Sequence, residues 1–210
     1  MTPTIFTCEQ YSDDWWKVRR GVPTASEAGR IITPKKGELA AAHDGYISAL
    51  IGDLLDAEYP RKDDVATGAM RRGTALEPKA RRMYEFEQSE RVLQVGFVLS
   101  GCGRFGCSPD GLVGNDGGLE LKNPAAGKHV EWVRAGVLPD DYKAQVHMSL
   151  IVTGRAWWDF ASYLPGQDLF VVRTTPDAFT AKLRECLDLF WDRYQFALDL
   201  FRPSAQERAA

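Results

Sequence analysis

Around Asn115-Asp116-Gly117-Gly118 the chain has little freedom of conformation. Asn, Asp and Gly tolerate the positive backbone angles of a tight turn, so they join the short strands on either side into a hairpin. The first strand reads from Phe105–Ser108 on to Val113, the second from Leu119 to Lys122. Side chains alternate along a strand, so Glu120 and Lys122 point to one face and Leu119 and Leu121 to the other. When the ribbon folds back, Asp110 of Ser108-Pro109-Asp110-Gly111 comes beside Glu120. Whatever the chain builds must therefore bury one face of this ribbon and accommodate two carboxylates and an amine on the other.

The surroundings are helical before the ribbon and mixed after it. Ser12 with Asp13 and Asp14 opens a short helix ending at Gly21. Thr24-Ala-Ser-Glu27 has the form of a capping box for a second helix that stops before Thr33-Pro34. A third helix is expected over about Asp44–Ala57. A fourth covers about Ala66–Gln88, with Gly73 and Pro78 as weak points and Leu76, Ala80, Met83 and Tyr84 as its apolar stripe. Arg91–Leu99 reads as a strand. Lys128–Ala135 and Asp141–Val152 read as helices, and Ala156–Leu164 and Leu169–Arg173 as strands. Thr175-Pro176-Asp177 then starts a long helix, residues 176–201, burying Phe179, Leu183, Cys186, Leu187, Phe190, Tyr194 and either Phe196 or Ala197. No repeat or linker divides the 210 residues, so the expectation is one α/β (α+β) domain, a small mixed sheet flanked by helices.

Composition narrows the function classes. With 44% hydrophobic and 26% charged residues the chain is neither disordered nor low-complexity. No apolar run approaches the about 18–20 residues of a membrane helix, and the start lacks the basic region of a signal peptide, so a cytoplasmic protein without membrane contact is expected. Cys8, Cys102, Cys107 and Cys186 are scattered and read as reduced thiols. They give neither zinc spacing nor the grouped set that an iron–sulfur cluster needs, and His43, His129 and His147 have no ligand spacing either. A net charge of −3 argues against a passive nucleic-acid coat but leaves room for an enzyme with local phosphate contacts. The basic group Arg71, Arg72, Lys79, Arg81 and Arg82 around Glu77 reads, on its own, as a solvated helix face.

The ribbon carries the chemistry. Two carboxylates brought together repel, and one takes up a proton unless a cation joins them. A hard, oxygen-seeking ion such as Mg²⁺, or Mn²⁺ in its place, resolves that conflict, and Lys122 beside it can orient or deprotonate a water or stabilise charge on a phosphate. An Asp before Gly at a turn is common, and Glu and Lys on a strand are ordinarily just solvated; the turn between them and the leucines behind them set this trio apart. A second candidate lies upstream. A helix start at Thr24 attracts anions, Ser26 adds a hydroxyl, and Arg19 offers a bidentate fork to phosphate oxygens. The tryptophans Trp15, Trp132, Trp157, Trp158 and Trp191 read as core, with one of Trp157 and Trp158 buried.

Pro109-Asp110 with Glu120-Leu121-Lys122 resembles the signature of the PD-(D/E)xK nucleases, and the longer string from Ser108 to Lys122 followed by Asn-Pro is similar to the phage lambda exonuclease family of viral recombinases. Trp15-Trp16-Lys17-Val18-Arg19-Arg20-Gly21-Val22 with Thr24-Ala25-Ser26-Glu27, then Gly73-Thr-Ala-Leu-Glu77 with Ala80-Arg81 and Tyr84-Glu85, then Tyr142-Lys-Ala-Gln145-Val146, resemble further blocks of that family in order, over about residues 10–165.

This resemblance implies a restriction-endonuclease-like core. It implies metal ligation by Asp110, Glu120 and the carbonyl of Leu121, Lys122 as the catalytic lysine, Glu77 and Gln145 as supports, and Arg19, Ser26 and Ser108 as a pocket for a 5′-terminal phosphate. It further implies 5′-to-3′ digestion of one strand at double-stranded DNA ends, leaving a 3′ single strand. A ring-shaped homotrimer and a single-strand annealing protein as partner in a phage-infected bacterial cell belong to the same expectation. The alternatives are an endonuclease on the same fold and an inactive end-binding or assembly subunit.

Overall fold

The computed structural model describes residues 1–60 and 68–201, with side chains described outside 61–74. In chain order it places β1 (Thr4–Phe6), α1 (Asp13–Arg19), a 3₁₀ helix (Ala25–Arg30), α2 (His43–Leu55), α3 (Gly68–Gln88), β2 (Val92–Leu93), β3 (Phe97–Leu99), β4 (Gly106–Cys107), β5 (Gly111–Val113) and β6 (Gly117–Lys122). There follow α4 (Ala126–Ala135), α5 (Asp140–Thr153), β7 (Trp157–Ser162), β8 (Phe170–Thr174) and α6 (Ala178–Asp199).

Two sheets form instead of one. A mixed five-stranded sheet runs β2-β5-β6-β7-β8, parallel only between β6 and β7, and a small antiparallel sheet runs β1-β3-β4. The expected strand 91–99 divides between them at Gly96, where the backbone lies so close to Cys8 that a Cβ would stand 2.1 Å from its carbonyl oxygen. The expected strand 105–113 divides likewise at Ser108-Pro109-Asp110, where proline lacks a ladder donor. β1 joins through Thr4↔Leu99 and had no alternation long enough to mark it.

The hairpin forms as expected, with Gly111 opposite Leu119 and Val113 opposite Gly117. Leu119 and Leu121 pack with Ala80 and Tyr84 of α3, while the opposite face of the large sheet carries Leu112, Trp158 and Phe160 into a second core shared with α2, α5 and α6. Gly118 belongs to this face because the Trp158 ring would stand 2.2 Å from any Cβ there. α5 is the central helix: Ala144, Val146, Met148, Leu150 and Val152 are all buried, so it has hardly a polar side. α6 buries the six residues expected from Phe179 to Tyr194; Phe196 faces solvent and Ala197 packs on the core. Its cap is Asp177, not Thr175: the Asp177 carboxylate accepts from the Thr180 amide at 3.0 Å.

α1 begins at its expected cap, Ser12 Oγ accepting from the Trp15 amide at 3.3 Å. α3 runs continuously through Pro78, although its expected start at Ala66 lies outside the described residues. The expected capping box at Thr24 does not form. The segment is a six-residue 3₁₀ helix, Thr24 makes no side-chain cap bond, and Glu27 pairs with Arg30 at 3.5 Å. Trp15, Trp132 and Trp158 are core; Trp157 is half-buried under the Arg173 guanidinium at 3.6 Å.

Candidate active site

β5 and β6 bring Asp110 and Glu120 to the same side of the hairpin, as the alternation requires. The Asp110 amide donates to Leu119 O at 3.2 Å, and its carboxylate Oδ2 accepts from the Leu121 amide at 2.6 Å. Glu120 is 3% exposed. Its Oε1 meets Lys122 Nζ at 2.5 Å and accepts from Gln145 Nε2 of α5 at 2.7 Å. The Lys122 ammonium also lies over the Tyr142 ring, 5.0 Å from its centre.

Burial, then the charge of Glu120, push the Asp110 carboxyl well above the usual carboxylate range, against the opposing pull of Lys122 and the Leu121 amide. Burial alone would lower the Lys122 pKa, but Glu120 and Asp110 outweigh it and hold the amine charged above its ordinary value. Two carboxyl groups side by side, with Asp110 held toward its neutral form, make a donor set suited to a hard cation. Among the described residues no three His, Cys, Asp or Glu side chains cluster as ligands, so the carboxylates of Asp110 and Glu120 are the side-chain donors at hand.

These groups line a cleft of about 710 Å³ whose wall also holds Arg19, Ser26 and Ser108. Arg19 comes from the last turn of α1, where its guanidinium stacks on Trp15 at 4.1 Å and donates to Ser108 Oγ at 2.9 Å. The Trp15 indole N–H donates to the same oxygen at 2.9 Å. Ser108 thus accepts twice, and its own hydroxyl hydrogen is left to donate. Burial pulls the Arg19 guanidinium below its ordinary value, and no ion pair joins it to a carboxylate among the described residues. Ser26 is exposed at the cleft, its Oγ 3.2 Å from Thr24 Oγ1. A six-residue 3₁₀ turn has little dipole, so an anion here relies on Arg19 and the hydroxyls, not on the helix start the sequence suggested.

Glu77 stands apart. It lines a second cleft of about 460 Å³ with Gln10, Tyr11, Arg81 and Asp110, on the other side of Asp110. Arg81 is not the solvated cation its basic neighbourhood suggested: it is 8% exposed, ion-paired to Glu77, and donates from Nε to Asp110 O at 3.4 Å. The i, i+4 spacing of Glu77 and Arg81 was the available signal. The side chains of Arg71 and Arg72 lie outside the described residues.

Residues 14–156 match the model of the YqaJ-like viral recombinase domain. The chain belongs to this family, the lambda exonuclease family of viral recombinases. The matched stretch contains every site residue expected from the sequence, from Arg19 to Gln145. The alkaline exonuclease LHK-Exo from Laribacter hongkongensis is 32% identical, with 90% of this chain and 96% of that one covered and a TM-score of 0.78. The same enzyme in complex with dAMP superposes at 0.79 over the same shares and identity. A phage-related exonuclease from Haemophilus somnus 129PT shares the fold at 11% identity, with 86% and 96% covered and a TM-score of 0.60. No curated protein matches the chain significantly. The family's fold is thus the fold of this viral recombinase domain: two small sheets flanked by helices, with the carboxylate hairpin at the edge of the cleft. Among the described residues no helix is long and apolar enough to cross a membrane.

Proposed function

We propose that the chain is a Mg²⁺-dependent deoxyribonuclease, with Mn²⁺ able to substitute, that digests one strand of duplex DNA from a phosphorylated 5′ end and leaves a 3′ single strand. One observation carries this reading: Asp110, Glu120, Lys122 and Gln145 share a single cleft with Arg19, Ser26 and Ser108. A hydrolytic site and an anion pocket in one concavity suit a substrate that presents a terminal phosphate and, one nucleotide further on, a phosphodiester. Membership of a viral recombinase family and likeness to an alkaline exonuclease support it.

Asp110, Glu120 and the Leu121 carbonyl would hold the metal. When bound, the ion polarises a phosphoryl oxygen and lowers the pKa of a water. The chain's own groups do the rest. Gln145 fixes the Glu120 carboxylate, and the Leu121 amide fixes that of Asp110. The Lys122 ammonium orients the attacking water and meets the charge that grows on the phosphoryl oxygens as the water oxygen bonds to phosphorus and the P–O3′ bond breaks, the water giving up a proton and O3′ leaving as a hydroxyl. Arg19 and the Ser108 hydroxyl hold the terminal phosphate, and Ser26 adds a donor. Each cut leaves a fresh 5′-phosphate on the next nucleotide, the group that this pocket accepts. From the family we further propose a ring-shaped homotrimer around DNA, working with a single-strand annealing protein inside a bacterial host.

The test uses linear duplex DNA, 5′-phosphorylated or not and labelled at each end, with Mg²⁺ or chelator. Mononucleotide release from phosphorylated 5′ ends in Mg²⁺ alone is expected. Cutting of closed circular DNA, or digestion from 3′ ends, would overturn the reading.

A further inference from the structure

Tyr11 occupies a backbone conformation that a bulky residue rarely takes, with φ at +68°. It is the third residue of a turn closed by the Ser12 amide donating to Glu9 O at 3.2 Å, a position where positive φ ordinarily calls for glycine. Such a conformation persists only where the surroundings impose it. Here the Gln10 amide donates to Pro109 O at 3.0 Å and to Val95 O at 3.4 Å, and Ser12 caps α1. The turn is therefore fastened to the residue next to Asp110 on one side and to the helix bearing Arg19 on the other. Yet the Tyr11 side chain is not core: it is 58% exposed and its ring meets that of Trp15 at 4.9 Å. It forms part of the wall shared by both clefts. The stretch matched by the family model begins after it, at residue 14.

We infer that Tyr11 is the platform on which the base of the 5′-terminal nucleotide stacks. The inference rests on the exonuclease reading above. A nucleotide with its 5′-phosphate at Arg19 and Ser108 and its 3′-phosphodiester at Asp110, Glu120 and Lys122 must turn its base away from the line between them. Among the described residues Tyr11 is the exposed ring on the wall of the cleft that also holds Arg19, Ser108, Asp110, Glu120 and Lys122. Stacking on an aromatic face accepts any base, as an enzyme that removes successive nucleotides requires. A cover for Trp15 would need no exposed ring in a strained turn.

The test compares wild type, Tyr11→Phe and Tyr11→Gly. Glycine relieves the positive φ, so its Tm should equal or exceed that of wild type, which separates binding from stability. Binding is read by fluorescence anisotropy in chelator, with 5′-phosphorylated duplexes whose terminal nucleotide is either an unpaired thymidine or abasic. Wild type and Tyr11→Phe should favour the base-bearing end by about 5- to 150-fold, and Tyr11→Gly should show no preference. If Tyr11→Gly retains the preference, or wild type has none, the platform is refuted. Digestion in Mg²⁺ is followed in parallel. If wild type binds with the preference but does not digest, the hydrolytic reading fails and the base contact stands.

Discussion

Glu120 and Lys122, two residues apart on β6, meet each other on the same face at 2.5 Å, and Gln145 reaches across from α5 to the same Glu120 oxygen at 2.7 Å. The acid is thereby fixed from both sides in a nearly closed environment, and the amine stays an ammonium. Replacing Lys122 with Ala removes the cation that the proposed mechanism sets against the phosphate and should lower kcat by at least about 10²–10³-fold, measured on 5′-phosphorylated duplex at saturating Mg²⁺. Activity near wild type would remove Lys122 from the mechanism. Gln145→Leu leaves Lys122 in place and frees only Glu120. It should raise the Mg²⁺ concentration for half-maximal rate by about 10–100-fold.

Arg19 and Ser108 answer a different question. Their 2.9 Å hydrogen bond places a cation and a hydroxyl at one wall of the cleft, with Trp15 as backing. Arg19→Ala deletes a charge-assisted contact worth about 1.5–3 kcal/mol, so the preference for 5′-phosphate over 5′-hydroxyl ends should fall by roughly 10- to 150-fold. The rate on hydroxyl ends should change far less. An unchanged ratio takes Arg19 out of the pocket.

The carboxylate ribbon was legible because its signals are local: the turn at Asn115–Gly118 fixes the register, and a period of two then decides which of Leu119, Glu120, Leu121 and Lys122 share a face. The second sheet was not. The breaks at Gly96 and at Pro109 depend on β1 and Cys8 coming from far away in sequence, and period alone cannot see that. Gln145 was reachable only through likeness, since α5 is apolar nearly all round and a glutamine there carries no period of its own. At Thr24 the local signal misled: four residues spelled a capping box, but the Thr24 amide donates to the Tyr46 hydroxyl at 2.9 Å and the segment pairs beside Gly106. Tertiary contacts overrode propensity there, whereas the pairing of Arg81 with Glu77 is local to α3 and its i, i+4 spacing lay in the sequence.

Asp159 ties α3 to the sheet. Fully buried, it accepts from the Tyr84 hydroxyl at 2.7 Å and from Arg173 Nε and Nη2 at 2.8 Å each. Arg173→Ala leaves a buried carboxylate without its cation and should cost about 3–5 kcal/mol. Tyr84→Phe removes only one donor and should cost about 1–3 kcal/mol. Urea unfolding at neutral pH measures both. Equal losses would mean that the arginine acts through its stack on Trp157 and not through the acid.

His147 sets the response of the fold to acid. Its Nδ1 lies 2.8 Å from Thr180 Oγ1 and 3.6 Å from Asp177 Oδ1, joining α5 to the cap of α6. Burial lowers its pKa below the ordinary 6.5, with Asp177 opposing and Lys143 adding to the fall. His129, buried against Ser162 Oγ at 2.8 Å, is lowered by burial as well. The unfolded chain therefore binds protons near pH 6.5 that the folded chain refuses, so stability is full above that pH and declines as pH falls through and below it. Asp177 extends the same slope downward. Burial alone would raise it, but the Thr180 amide and His147 hold it below its ordinary 3.8, so its contribution is present above that value and lost beneath it. Asp110, held above its ordinary value, works in the opposite direction, so the histidine share is read as a difference: a variant carrying His129→Gln and His147→Gln should lose less stability than wild type between pH 7.5 and pH 5.5, measured by urea unfolding. A double variant with the wild-type slope would place the acid sensitivity elsewhere in the molecule.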